Sequence, residues 1–187
     1  MKRIYYLFFL IFALLLFVLY SSFKNNDSKL TMKKMKKIEV ESQVPIFSLP
    51  DQNGIVFNIK DVVKKKNLVI YFYPKDDSPG CTKEACYFQD QFEGFKQANA
   101  IVIGISGQSV ESHKIFADKY KLTYTLLSDK KNKIRKLFGV PTNFLGFIPG
   151  RVTYVVDKTG KVIYMFNSQS NPTKHVDEAL RILKNLD

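Results

Sequence analysis

The segment NLVIYFYPKDDSPGCTKEAC, residues 67–86, decides the reading of this 187-residue chain. Its first seven residues are an unbroken apolar, β-branched and aromatic run, the pattern of a strand buried on both faces of a sheet. Pro74 ends that run. Pro79 marks a helix start, where a missing N–H costs nothing and the proline φ already suits the first turn. The helix predicted from there reaches about Ala98, with Ala85, Phe88, Phe92 and Phe95 on one stripe. Cys81 therefore falls in the first turn of a helix that directly follows a buried strand. Free backbone N–H groups and the positive end of the helix dipole lie there, and both favour a thiolate. The bland alternative is a small buried hydrophobe. The "SPG" before the cysteine argues against that, because it marks a solvent-facing loop.

Outward from this segment, VPIFSLPDQNGIVFNI (44–59) reads as two short extended pieces joined by an Asp-Gln-Asn-Gly turn. AIVIGIS (100–106) is a second buried strand. Ser109 or Ser112 can cap the helix after it, with Ile115, Phe116 and Tyr120 as the inner face. YTLLSD (124–129) and a helix around KNKIRKLFG follow. RVTYVVD (151–157) and KVIYMFN (161–167) make an antiparallel hairpin. PTKHVDEALRILKNL (172–186) closes with a helix whose Val176, Leu180, Ile182 and Leu183 turn inward. Strand, helix, strand, helix, hairpin and helix is the thioredoxin order. The expected class is α/β, a thioredoxin-like fold with a central mixed β-sheet flanked by α-helices.

Composition narrows the functions. The net charge of +12 is concentrated in residues 1–38, which carry eight lysines and arginines against Asp27 alone; residues 39–187 contribute +5. A basic body with acids interspersed is a solvated surface, so no nucleic-acid partner is expected. Two cysteines cannot staple a domain of this size. Together with His113 and His175 they match no zinc-ligand spacing, so no metal or other cofactor is expected, and both histidines read as surface helix residues.

IYYLFFLIFALLLFVLY (4–20) is an apolar run of 17 behind Lys2 and Arg3. A helix of that length spans roughly 25 Å, the short end of a membrane crossing. The expectation is a membrane anchor through residues 4–20, then a Lys-rich tether to residue 38, then one domain over 39–187. Placement of the domain on the exported side is favoured over the cytoplasmic side. A cleaved signal, or a chain begun at Met32, is the alternative.

Cys86 poses a separate question. Five residues along an unbroken helix put the two cysteine Cα atoms about 8.5 Å apart on different faces. A disulfide wants less than about 7 Å. From spacing alone, Cys86 is equally well ordinary helix filler or a partner reached only after the first turns unwind.

Pro74-x-x-x-Ser78-x-x-Cys81 resembles the Pro-x-x-x-Thr/Ser-x-x-Cys motif of peroxiredoxins, and YFYPKDDSPGCTKEAC resembles the Q-type class, also called bacterioferritin comigratory proteins. PIFSLPDQNG, FGVPTNFLGFIPGRVTYVVDKTGK and NSQSNPTKHVDEAL extend the likeness over residues 39–187. The resemblance implies a peroxidatic Cys81 whose thiolate attacks the peroxide O–O bond and becomes a sulfenic acid. It implies that Arg151 stabilises developing charge, that Pro74 shields the sulfur and that Cys86 is the resolving cysteine. It also implies peroxide substrates, a thioredoxin-like reductant and a monomer. Ser78 stands where most relatives have Thr and lacks the methyl that fixes the rotamer. Phe144 and Phe147 can line an apolar approach for alkyl peroxides. A membrane-tethered redox sensor is the alternative function.

Overall fold

The computed structural model describes residues 38–143 and 145–186, together with Leu15 and Leu16. A five-stranded sheet forms the centre. β3 (Asn67–Phe72) lies in the middle, buried along its whole length as its unbroken apolar run requires. It runs parallel to β4 (Ala100–Ser106), which runs parallel to β5 (Thr125–Ser128). On its other side β3 pairs antiparallel with β8 (Val152–Val156), and β8 with β9 (Val162–Asn167). This is the expected mixed sheet.

Strand alternation sends Val69, Tyr71 and Tyr73 to one face and Leu68, Ile70 and Phe72 to the other. The first face packs on α1 (Pro79–Asp90), α2 (Phe92–Gln97), α3 (Val110–Tyr120) and α5 (Pro172–Lys184), through Phe88, Phe95, Phe116 and Val176. The second packs on the hairpin of β1 (Ser48–Pro50) and β2 (Val56–Asn58), a 3-10 turn at Ile59–Asp61, and α4 (Lys133–Phe138). The loop to α1 begins at the tip of β3.

Three local expectations differ from the structure. The helix from Pro79 breaks at Gln91 (φ −93°, ψ 9°) and restarts as α2, although Ala85, Phe88 and Phe95 still share the buried side. In α3, Ile115 is 62% exposed; the inner stripe is His113, Phe116 and Ala117. Both histidines are fully buried rather than on the surface. The reason is common to the last two: polar groups with enough hydrogen-bond partners are buried as readily as apolar ones, and an apolar pattern cannot register them. A short hairpin of β6 (Thr142–Asn143) and β7 (Ile148–Pro149) also went unforeseen.

The membrane expectation is overturned. Among the described residues no helix is long and apolar enough to cross a bilayer. Residues 4–20 lie outside the described residues except Leu15 and Leu16.

Candidate active site

The loop 74–78 carries the chain from the end of β3 into α1. Its geometry is set by Asp76, which is buried and accepts from three donors: the Tyr73 hydroxyl at 2.7 Å, the Ser112 hydroxyl at 2.6 Å and His113 Nδ1 at 2.9 Å. His113 Nε2 lies 3.2 Å from the Leu127 carbonyl, so α3 and β5 are tied to the same loop. Burial alone raises the Asp76 carboxyl; the bonds from His113, Ser112 and Tyr73 outweigh it and hold its pKa below the ordinary value.

Ser78 is the N-cap of α1, Pro79 its first residue and Cys81 lies in its first turn, as the segment 67–86 predicts. The sulfur is not solvent-facing. Cys81 is only 2% exposed, beneath the guanidinium of Arg151. Arg151 sits immediately before β8, the neighbour of β3, so sheet pairing brings it to the helix that follows β3. Its Nη2 lies 3.4 Å from Cys81 Sγ. Gly80 leaves room for this approach, since a Cβ there would lie 3.3 Å from the same nitrogen. Pro74 is half-buried at the tip of β3. The Ser78 hydroxyl donates to the Lys75 carbonyl at 3.0 Å, which fixes the loop rather than reaching the sulfur.

Arg151 has a second partner that a helical stripe does not reveal. Glu84, one turn after Cys81 on α1, is fully buried, and Arg151 Nη1 donates to its Oε2. Among the described residues neither Glu84 Oε1 nor Arg151 Nε has a hydrogen-bond partner. His175 of α5 lies behind, with Nδ1 3.8 Å from Glu84 Oε1. The imidazole itself is tied elsewhere: Nε2 donates to the Ser168 carbonyl at 2.8 Å, and Nδ1 accepts from the Thr153 hydroxyl at 2.8 Å. Burial lowers its pKa to about 4, with the nearby Arg151 charge adding to the effect. Burial raises the Glu84 carboxyl to about 8, against the pull of Arg151. Burial thus favours the neutral form of Glu84, and Arg151 bridges it and the Cys81 sulfur with its two terminal nitrogens.

Cys86 lies on the same unbroken helix, partly exposed, and both thiols are free. Burial, with the Asp90 carboxylate as a lesser cause, pushes its thiol pKa up. The structure thus brings together Cys81, Arg151, Pro74 and Ser78 at one end of the sheet and leaves Cys86 on the helix beyond them. Phe147, 84% exposed, stands on the β6–β7 hairpin just before Arg151; Phe144 is outside the described residues. The groups that sequence reasoning missed are Glu84, His175, and the Asp76–His113 pair. Each is polar and buried, and the available signal was slight: a carboxylate one helical turn from the cysteine.

Comparison with known proteins agrees with this geometry. The AhpC/TSA family profile matches residues 40–165. The chain is 50% identical over 167 residues to a chloroplastic peroxiredoxin Q of Sedum lineare, covering 89% of each. It is 52% identical over 148 residues to the chloroplastic peroxiredoxin Q of Arabidopsis thaliana, covering 79% of this chain and 68% of the relative. Among solved structures, the peroxidoxin BcpB of Mycobacterium tuberculosis superposes with a TM-score of 0.75 at 34% identity, over 80% of this chain and 99% of that one. The expected membrane placement finds no support here either, since the curated relatives are named as chloroplastic. With half its residues shared over almost the full length of a relative and its fold superposing on that of another, the chain belongs to the AhpC/TSA family and groups with the Q-type peroxiredoxins.

Proposed function

We propose that the domain over residues 39–187 is a thiol peroxidase that reduces hydrogen peroxide and organic hydroperoxides through Cys81. The single observation that carries this reading is the buried sulfur at a helix N-terminus with Arg151 Nη2 at 3.4 Å. The positive charge stabilises the thiolate before reaction. The thiolate attacks one peroxide oxygen, the O–O bond breaks, and Cys81 becomes a sulfenic acid. The other oxygen leaves with the bond pair and takes up a proton, giving water or an alcohol. Arg151 stabilises the negative charge that builds on it. Pro74 keeps water from the sulfur, and Ser78 orders the loop and, by turning its hydroxyl, can also bond the peroxide.

Cys86 then resolves the intermediate. Its thiolate attacks the Cys81 sulfur, the S–O bond breaks and hydroxide leaves, taking up the proton that the Cys86 thiol released to become water, and the Cys81–Cys86 disulfide forms. The folded helix holds the two too far apart, so residues 79–86 unwind first. A dithiol of the thioredoxin type reduces the disulfide and restores the helix. Both sulfurs lie on one helix, so a monomer suffices. The membrane-tethered sensor has no support among the described residues or in the named relatives.

The test uses the full chain, reduced, mixed with one equivalent of hydrogen peroxide. A reaction far faster than that of free cysteine, ending in a Cys81–Cys86 disulfide by mass spectrometry and lost in Cys81→Ser, is the expected result. A rate no better than free cysteine overturns the reading.

A further inference from the structure

Arg135 of α4 is a second buried arginine at the same end of the sheet. It is 4% exposed, and no carboxylate pairs with its guanidinium among the described residues. Its two terminal nitrogens donate instead to backbone carbonyls: Nη1 to Gly150 at 2.8 Å and Nη2 to Tyr73 at 2.7 Å. Those carbonyls belong to the residues immediately before Arg151 and Pro74. The Cζ atom of the guanidinium lies 5.6 Å from the Phe72 ring centroid. The helix that carries it is fastened by Asp129, which accepts from the backbone N–H of Lys133 and Arg135, both at 2.8 Å. Gly150 is held from its other side, where its N–H donates to the Pro141 carbonyl at 2.8 Å; a Cβ at this position would run into that carbonyl.

A buried cation without a paired carboxylate is costly, and an apolar chain of similar length would pack on Phe72 without that cost. What an apolar chain cannot do is fork two carbonyls or carry charge. We propose that Arg135 is a positioning residue for Cys81: its fork sets Arg151 and Pro74 relative to the sulfur, and its charge reinforces that of Arg151 on the thiolate. The proposal rests on the peroxidase reading above. Burial lowers the Arg135 pKa to about 10, with Asp129 and then Cys81 opposing the shift, so the group stays charged at neutral pH. Arg135 and Arg151 are the cations coupled to Cys81; the titratable groups that face them are Glu84 beside Arg151 with His175 behind it, and Asp129, Tyr154 and Tyr73 beside Arg135.

The test compares the full chain with Arg135→Met and Arg135→Lys, each carrying Cys86→Ser so that Cys81 is the only thiol. Three readouts are taken: thermal melting, the rate of peroxide oxidation, and the pH profile of alkylation by iodoacetamide. In Arg135→Met the pH of half-maximal alkylation rises by about one unit, and the peroxide rate at pH 7 falls roughly 10- to 100-fold. Arg135→Lys keeps the alkylation midpoint near that of the parent, because the charge remains, but recovers only part of the rate, because one ammonium cannot fork both carbonyls. A folded Arg135→Met with the parent's midpoint and rate overturns the proposal, as does one midpoint shared by Met and Lys variants. If Arg135→Met does not fold, Arg135→Gln against Arg135→Lys carries the same comparison. A parent chain that reacts with peroxide no faster than free cysteine defeats the peroxidase reading instead, while the alkylation midpoints still judge Arg135.

Discussion

Two buried carboxylates flank Cys81, and they are built in opposite ways. Asp76, five residues before it, accepts three hydrogen bonds from side chains on β3's end and α3, and its pKa is held below the ordinary value. Glu84, three residues after it, leaves one oxygen without a partner and has its pKa pushed up to about 8. Each lies near a buried histidine, but only His113 is bonded to its carboxylate; His175 turns to Thr153 and Ser168. Satisfaction makes Asp76 an anchor for the loop. Incomplete satisfaction leaves Glu84 able to take or release a proton beside Arg151. One carboxylate ties the loop before Cys81 to α3, and the other ties the helix after it to Arg151 alone.

The largest expected effect tests the first of these ties. Asp76→Asn puts an amide N–H₂ among donors that need an acceptor, and should cost about 3 kcal/mol in urea unfolding at pH 7. Glu84→Gln, by contrast, should cost less than about 1 kcal/mol at the same pH, because burial already favours the neutral form of the native group. Equal losses in the two variants would erase the distinction.

Glu84 should also appear in the pH dependence of stability. Its folded pKa, about 8, lies above the unfolded value, so its contribution is full at low pH and is lost as pH rises towards 8. The expected decline is roughly 2 kcal/mol between pH 5 and 7, and Glu84→Gln should flatten it. His175 has the opposite sign. Its folded pKa, about 4, lies below the unfolded value, so stability is present above pH 6.5 and is lost as pH falls towards 4. Denaturant titrations of His175→Gln should lack about 1.5 kcal/mol of the loss that the native chain shows between pH 7.5 and 5.5.

The smallest effect concerns the far half of α1. Tyr87 donates to Asp177 of α5 at 2.8 Å on the surface, and tethers the helix beside Cys86. Tyr87→Phe should leave the melting temperature unchanged within error and raise the rate of disulfide formation about twofold. A slower disulfide step would mean that this tether guides the unwinding rather than resisting it.

Much of this was legible before any coordinates. The apolar run 67–73 could only be a central strand, and Pro79 fixed where α1 begins, so the helical placement of Cys81 followed from local chemistry. The hairpin of β8 and β9 was equally plain from two apolar runs and a tight turn. Local patterns of this kind are set by residues within a few positions of one another, and periodicity reports them directly. It misled where its assumption fails: Ile115 looked like the inner face of α3, but His113 holds that place because Asp76 and Leu127 supply its partners from other elements. The fork of Arg135 under two strand ends, the orphaned oxygen of Glu84 and the 3.4 Å approach of Arg151 to the sulfur are likewise products of distant pairings. Burying a charge is acceptable only when groups far away in the chain meet it with the right geometry. The sequence by itself therefore determined the long strands and the start of the helix that carries Cys81, because these depend on neighbours in the chain; the tertiary structure alone decided which polar groups surround that cysteine, because they arrive from distant elements.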